Sequence, residues 1–214
     1  MLIAVLLVGF LLSRPSPSGI GFCPVSDPWS PPQLVPNFLT PQECQYLMSY
    51  AKPLLKRSHV MGNQTNEIQT IRTSSQTWMS PSDPVAQQIY RRASALTGIP
   101  LSKMENLQIA RYFPTQEYKA HHDACCANNK NCRETNKKLG LRNRTLLMYL
   151  NEDFTEGETE FPRYKCKITP KTGLGLLFHP LNKTETQCHP FALHGGLPVA
   201  SGEKWIATIW CHLG

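Results

Sequence analysis

The chain has 214 residues, enough for one domain with a substantial core. Hydrophobic residues make up 41% and charged residues 17%, which excludes a disordered polypeptide. The formal net charge is +7, and much of the excess sits in Lys130, Arg133, Lys137, Lys138, Arg142 and Arg144. No nucleic-acid motif accompanies that charge, so a solvated basic loop is expected there and no nucleic-acid partner.

Leu2 to Leu12 is an uninterrupted apolar run, followed by a stretch rich in Pro and Ser. The run is short for a bilayer span but has the length of a signal-peptide core. It lacks a basic leading region and an obvious cleavage site before Gly21. Residues 1–13 are therefore expected to be a signal peptide or a short membrane anchor, with membrane association through residues 2–12. Residues 14–34 are expected to be a linker, and 35–214 one domain.

That domain opens on a helix. Thr40 suits the N-cap, Pro41 the first helical position, and Glu43 completes a capping box. Cys44, Leu47, Met48, Ala51, Leu54 and Leu55 form the apolar stripe. A second helix runs from Asp83-Pro84 to Gly98, with Val85, Ile89, Ala93 and Leu96 on one face. From Glu105 onward the signal is strands, at Leu107–Phe113, Leu146–Leu150, Leu174–Phe178 and Lys204–Leu213. Short strands with Pro- and Gly-rich turns point to a barrel or jelly roll buttressed by the helices.

Alternation along a strand puts residues i and i+2 on one face. His121 and Asp123 then point the same way, and His122 points away. On the last strand Lys204, Ile206, Thr208, Trp210 and His212 share a face that suits a polar chamber better than a core. A His-x-Asp pair with a distant His, here His121, Asp123 and His194, is the ligand set of a 2-His-1-carboxylate triad, which holds non-haem Fe(II) and keeps coordination positions open. Lys204, ten residues after His194, can supply a cation to a carboxylate co-substrate.

The eight cysteines lack zinc-module spacing. Cys125, Cys126 and Cys132 fall in one loop. In an oxidising compartment, Cys125 or Cys126 is expected to bridge to Cys132. Asn63-Gln64-Thr65, Asn143-Arg144-Thr145 and Asn182-Lys183-Thr184 fit the glycosylation acceptor pattern, which counts only in a secretory chain.

The order of motifs from Val35 onward resembles the prolyl 4-hydroxylase family of 2-oxoglutarate- and Fe(II)-dependent dioxygenases. The blocks are Asn37-Phe38-Leu39-Thr40-Pro41-Gln42-Glu43-Cys44, Arg72-Thr73-Ser74-Ser75, Leu107-Gln108-Ile109-Ala110-Arg111-Tyr112 and Tyr118-Lys119-Ala120-His121-His122-Asp123. Then come Met148-Tyr149-Leu150-Asn151, Gly157-Glu158-Thr159-Glu160-Phe161-Pro162, Leu193-His194-Gly195-Gly196 and Gly202-Glu203-Lys204-Trp205. The resemblance implies an α+β, mainly β fold: a double-stranded β-helix (jelly-roll) core with N-terminal supporting helices. It implies that peptidyl proline is hydroxylated with dioxygen and 2-oxoglutarate, releasing succinate and carbon dioxide, with L-ascorbate as rescuing reductant.

By the same resemblance His121, Asp123 and His194 match the iron ligands, and Lys204 the cation that pairs with the far carboxylate of 2-oxoglutarate. Tyr112 and Thr159 match hydroxyls on that carboxylate. Tyr118, Arg142, Trp210 and His212 match positions lining a groove for a proline-containing peptide. Cys125 to Leu141 departs from the short link expected after His-x-Asp and reads as a lid. His179 and His189 are extra histidines near the site. The expected location is the secretory pathway, in the endoplasmic reticulum lumen or anchored facing it. Two alternatives stay open: a 2-oxoglutarate oxygenase acting on another peptide residue or a small molecule, and an inactive secretory binding module with the same fold.

Overall fold

The computed structural model describes residues 29–58 and 71–213. The apolar run 2–12, residues 14–28 of the expected linker, Cys23 and the Asn63 acceptor lie outside them.

The first helix, α1 (Pro41–Ala51), starts where its capping chemistry places it. Thr40 Oγ1 accepts from the Glu43 amide, and the Glu43 carboxylate accepts from the Thr40 amide. It stops at Ala51 because Pro53 follows, and the chain tightens into a 3₁₀ turn over Lys52–Leu54. Leu54, expected on the apolar stripe, is consequently 46% exposed. The second helix, α2 (Pro84–Thr97), is capped by Asp83, whose carboxylate accepts from the Val85 and Ala86 amides. It ends at Gly98 in the left-handed region, at φ 71°. A third helix, α3 (Lys130–Leu139), replaces the loop expected there. Asn129 caps it by accepting from the Cys132 amide. Its sequence carries no apolar stripe, so periodicity gave no sign of it.

Thirteen strands are described: β1 (Gln33–Val35), β2 (Lys56–Arg57), β3 (Ser75–Trp78), β4 (Gln108–Tyr112), β5 (Tyr118–His121), β6 (Arg142–Tyr149), β7 (Phe154–Glu156), β8 (Thr159–Phe161), β9 (Cys166–Ile168), β10 (Gly175–Phe178), β11 (His194–Gly196), β12 (Val199–Gly202) and β13 (Lys204–His212). They form a seven-stranded antiparallel sheet in the order β1-β10-β6-β13-β4-β3-β2, a four-stranded sheet β5-β11-β8-β9, and the pair β12-β7. Central β13 pairs with β4 on one side and β6 on the other.

Alternation along β13 divides the molecule into two packed layers. Trp205, Ala207, Ile209 and Cys211 face α1 and α2, against Cys44, Leu47, Ile89 and Ala93. Ile206 faces the other way and joins Ala110, Tyr149, Phe178 and, from the small sheet, Phe161 and Ile168. Two sheets enclosing a core, with helices outside the larger one, make the jelly roll expected from the sequence.

The linker expected up to residue 34 is not separate from this domain. Trp29 is buried against Phe161, Tyr164 and His189, and β1 adds an edge strand to β10. The aromatic finds an apolar pocket despite its Pro- and Ser-rich surroundings, and Gln33–Val35 supply ladder hydrogen bonds.

Candidate active site

The chamber lies between the two sheets. His121 ends β5, His194 opens β11, and the two are ladder partners. The ladder brings their rings to 4.4 Å between centroids. Gly195 permits this approach, since a Cβ there would lie 2.9 Å from the Tyr118 carbonyl oxygen. Asp123 sits two residues past the end of β5, so alternation within a strand does not place it, yet it reaches the same point. One carboxylate oxygen lies 3.5 Å from His121 Nε2 and the other 3.7 Å from His194 Nε2. Donor atoms of all three residues fall within 4.8 Å of one another.

Backbone contacts orient both imidazoles. His121 Nδ1 lies 2.8 Å from the Lys119 carbonyl oxygen, and His194 Nδ1 lies 3.0 Å from that of Ala192. A carbonyl can only accept, so Nδ1 carries a proton in each ring and Nε2 is the nitrogen turned toward Asp123. Burial pushes His194 down to about 4 against the pull of Asp123. Burial opposes the charge on Asp123, but His194, His121 and Arg142 outweigh it and hold the carboxyl far below its usual range. Thr145 Oγ1 donates to Asp123 Oδ2 at 2.6 Å. Two imidazole nitrogens and one carboxylate are a donor set that fits Fe(II). His122, one residue past the end of β5, is exposed, lines the outer cavity and is not part of the donor cluster.

Lys204 stands at the inner end of β13 and is 2% exposed. Its Nζ donates to the Gly157 carbonyl at 2.6 Å and lies near the rings of Tyr112 and Tyr149. Among the described residues no carboxylate lies within ion-pairing distance of it. Burial lowers its pKa to about 8, with Glu158 partly opposing. Tyr112 pairs with Lys204 across the ladder, and Thr159 Oγ1 accepts from Tyr149 Oη at 2.7 Å. Both Tyr112 and Thr159 line the same chamber as the triad and Lys204.

The chamber opens into an outer cavity of about 210 Å³, bounded by Arg72, Trp78, Tyr118, Arg142 and Trp210 among others. The Tyr118 ring stacks on His121 at 3.6 Å, and the Arg72 guanidinium lies 4.8 Å from the other aromatic centre of that stack, Tyr118. Arg142 covers the Trp210 ring at 4.2 Å and donates to the Asp123 carbonyl at 3.3 Å. Its guanidinium is held bidentately by Glu105 at 2.5 and 2.8 Å.

His212 departs from expectation. It shares the β13 face of Lys204, but a register shift falls between Cys211 and His212. The side chain is buried, with Nδ1 2.9 Å from the Gly140 carbonyl oxygen and Nε2 2.8 Å from Glu105. Both nitrogens are engaged, so His212 braces Glu105 behind the groove wall instead of facing a peptide at the mouth. His179 and His189 serve elsewhere: the His179 carbonyl accepts from Trp29 Nε1, and His189 stacks on Trp29.

Glu105 and Thr145 went unnoticed in the sequence. Thr145 had a signal, because it shares a strand face with Leu147 and Tyr149. Glu105, just before β4, had none. In the lid, Cys125 bridges to Cys132 and Cys126 to Cys188. Asn143 is buried within β6, which removes it as an accessible glycosylation acceptor in the folded chain.

The sequence matches the family model of the 2OG-Fe(II) oxygenase superfamily over residues 107–212. A prolyl 4-hydroxylase homologue of Acanthamoeba polyphaga mimivirus is 40% identical over 186 residues, covering 87% of this chain and 76% of its own. Prolyl 4-hydroxylase 1 of Arabidopsis thaliana is 36% identical over 201 residues, covering 85% and 69%. Among solved structures, the 2-oxoglutarate complex of the viral collagen prolyl hydroxylase from Paramecium bursaria Chlorella virus-1 is similar at a TM-score of 0.67 and 30% identity, covering 84% of this chain and 94% of that one. With the fold, the donor set and these relatives in agreement, the chain belongs to the prolyl 4-hydroxylase family of 2-oxoglutarate- and Fe(II)-dependent dioxygenases.

Proposed function

We propose that this protein is a prolyl 4-hydroxylase acting on peptidyl proline in a proline-containing peptide or protein. The observation that carries the reading is the pairing, in one chamber, of a His121–Asp123–His194 donor cluster with a buried Lys204 that has no carboxylate partner among the described residues. Bound Fe(II) with 2-oxoglutarate supplies the oxidising chemistry, coupling oxygen transfer to release of succinate and carbon dioxide. His121, Asp123 and His194 hold the metal. Lys204 offers its ammonium to the far carboxylate of 2-oxoglutarate, an anion that would offset the cost of burying the cation. Tyr112 lies beside that ammonium. Thr159 already accepts from Tyr149, so its own proton is free to donate to the same carboxylate.

Tyr118, Arg142 and Trp210 form the wall against which the peptide lies. The buried Trp210 Nε1 has no acceptor within the described residues, and the neighbouring Trp78 ring lies 6.0 Å away. Aromatic faces suit proline rings, and an extended, polyproline-like peptide exposes its backbone groups and has little entropy left to lose. L-Ascorbate is the proposed reductant. The disulfides Cys125–Cys132 and Cys126–Cys188, with Cys166 also disulfide-bonded, support maturation in the secretory pathway, entered or anchored through residues 2–12. Among the described residues no helix is long and apolar enough to cross a membrane.

The test is incubation of the purified protein with Fe(II), 2-oxoglutarate, ascorbate and a panel of proline-rich peptides. A one-oxygen mass gain located on proline is expected. A gain on another residue would move the protein to a different substrate class. Metal binding with no 2-oxoglutarate turnover would leave only a binding module.

A further inference from the structure

The three donor residues are not held alike. His121 and His194 are ladder partners, fixed by the pairing of β5 with β11. Asp123 lies beyond the last ladder pair, at the mouth of an irregular segment that continues through Ala124 to Asn129. Nothing in a β-ladder restrains it. Three attachments replace the ladder. Thr145 holds one carboxylate oxygen and Arg142 holds the carbonyl. The third is covalent: three residues after Asp123, Cys126 is bonded to Cys188, six residues before His194.

That bond joins the carboxylate-bearing segment to the segment leading into the second histidine, across a sequence separation of 62. Cys188 Sγ also rests 3.2 Å from the carbonyl oxygen of buried Ala124, the residue next to Asp123. Cys188 is itself anchored, because it bridges to buried Leu181 in the chain that leaves β10. The crosslink therefore ties the backbone of Asp123 to the larger sheet. The adjacent bond, Cys125–Cys132, spans only 7 residues and closes the lid on itself, pinning the first turn of α3. Two neighbouring cysteines thus make bonds with different reach.

Resting on the ligand reading above, we propose that the Cys126–Cys188 disulfide is a positioning element of the metal centre, holding Asp123 in register with the two histidines, whereas Cys125–Cys132 serves only the lid. A crosslink that merely staples the fold would change melting temperature and leave the affinity of a folded site alone. One that positions a ligand changes metal affinity, as loss of groups that orient ligands does, by about tenfold or more.

The experiment is Co(II) titration of the full chain, followed by its absorption bands, with near-ultraviolet circular dichroism to confirm the folded state. The wild type is expected to bind one equivalent and Asp123→Ala to lose it. If Asp123→Ala binds as the wild type does, the ligand reading fails, whatever the crosslink does. With that reading standing, Cys126→Ser/Cys188→Ser is expected to weaken Co(II) binding about tenfold or more, and Cys125→Ser/Cys132→Ser to stay within about twofold of wild type. Serine pairs leave no new thiol to capture the metal. Equal affinity in both double variants, whether both unchanged or both weakened, overturns the proposal. If the first serine pair does not fold, Cys126→Val/Cys188→Val replaces it. Failure of that variant to fold as well, while Cys125→Ser/Cys132→Ser folds, makes the bond a folding staple and also overturns the proposal.

Discussion

The two ends of β13 hold basic side chains in opposite settings. At the inner end, Lys204 is buried, donates to a carbonyl and has no carboxylate partner among the described residues. At the outer end, Arg142 of the neighbouring strand and His212 converge on one carboxylate, Glu105, with contacts of 2.5 to 2.8 Å. Burying an uncompensated charge is expensive, so a protein that keeps one has a use for it in the bound state. Burying a compensated cluster fixes geometry. The inner end is thus built to receive an anion. In the function proposed above, the outer end is a preassembled wall that presents Trp210 and the remaining face of Arg142 to a substrate.

The metal cluster between the two ends sets the largest expected effect. Asp123→Ala removes the only carboxylate of the cluster, and turnover should fall by about a thousandfold or more, in line with loss of several kcal/mol of stabilisation. The fold should persist, checked by circular dichroism. Wild-type activity in that variant would detach Asp123 from the chemistry.

Glu105→Ala strikes the compensated end. It leaves Arg142 and His212 buried without their shared partner, a change that costs about 3–5 kcal/mol. A melting-temperature drop of several degrees is expected, and thermal unfolding measures it. Unchanged stability would mean that the outer cluster is solvated in use and that the contrast between the two ends is smaller than drawn.

Trp210→Ala separates wall from core. Peptide hydroxylation, as kcat/KM, should fall about tenfold, which is about 1.4 kcal/mol. Slow decarboxylation of 2-oxoglutarate without peptide should survive. Parallel loss of both reactions would make Trp210 a core residue.

The smallest effect is on pH dependence. Burial lowers Lys204 to about 8 when no anion is bound, so its ammonium is intact below that pH and is lost as pH rises through it. Affinity for 2-oxoglutarate should be flat below pH 8 and weaken above it, by at most roughly tenfold per pH unit. Lys204→Arg, whose charge persists, should flatten the profile if it binds at all. A wild-type profile that improves above pH 8 would contradict the assignment.

Much of this was legible in the sequence because it is local. Thr40, Pro41 and Glu43 specify the α1 start through contacts three residues apart, and alternation along β13 correctly sorted Trp205, Ala207 and Ile209 from Lys204, Ile206 and Thr208. The donor cluster was legible because few residue combinations can do its chemistry. Long-range geometry was not. Glu105 meets His212 across a separation of 107 residues, and a register shift in β13 hides that meeting from a simple period of two. Helix α3 is polar apart from Cys132 and Leu139, so no apolar stripe marked it. Trp29 joins the core from a run whose composition reads as linker. The partner of Cys126 could not be chosen by counting cysteines, since connectivity is set by which chain segments the fold brings together.

The most direct measurement is a titration of 2-oxoglutarate into metal-loaded protein, comparing Lys204→Ala with Trp210→Ala. Loss of a desolvated charge partner costs about 2–5 kcal/mol. Lys204→Ala should therefore weaken binding by about thirtyfold or more, while Trp210→Ala, toward the outer end of β13, should stay within about threefold of wild type. The reverse order, with Trp210→Ala abolishing 2-oxoglutarate binding and Lys204→Ala sparing it, would place the co-substrate at the other end of β13 and contradict the account.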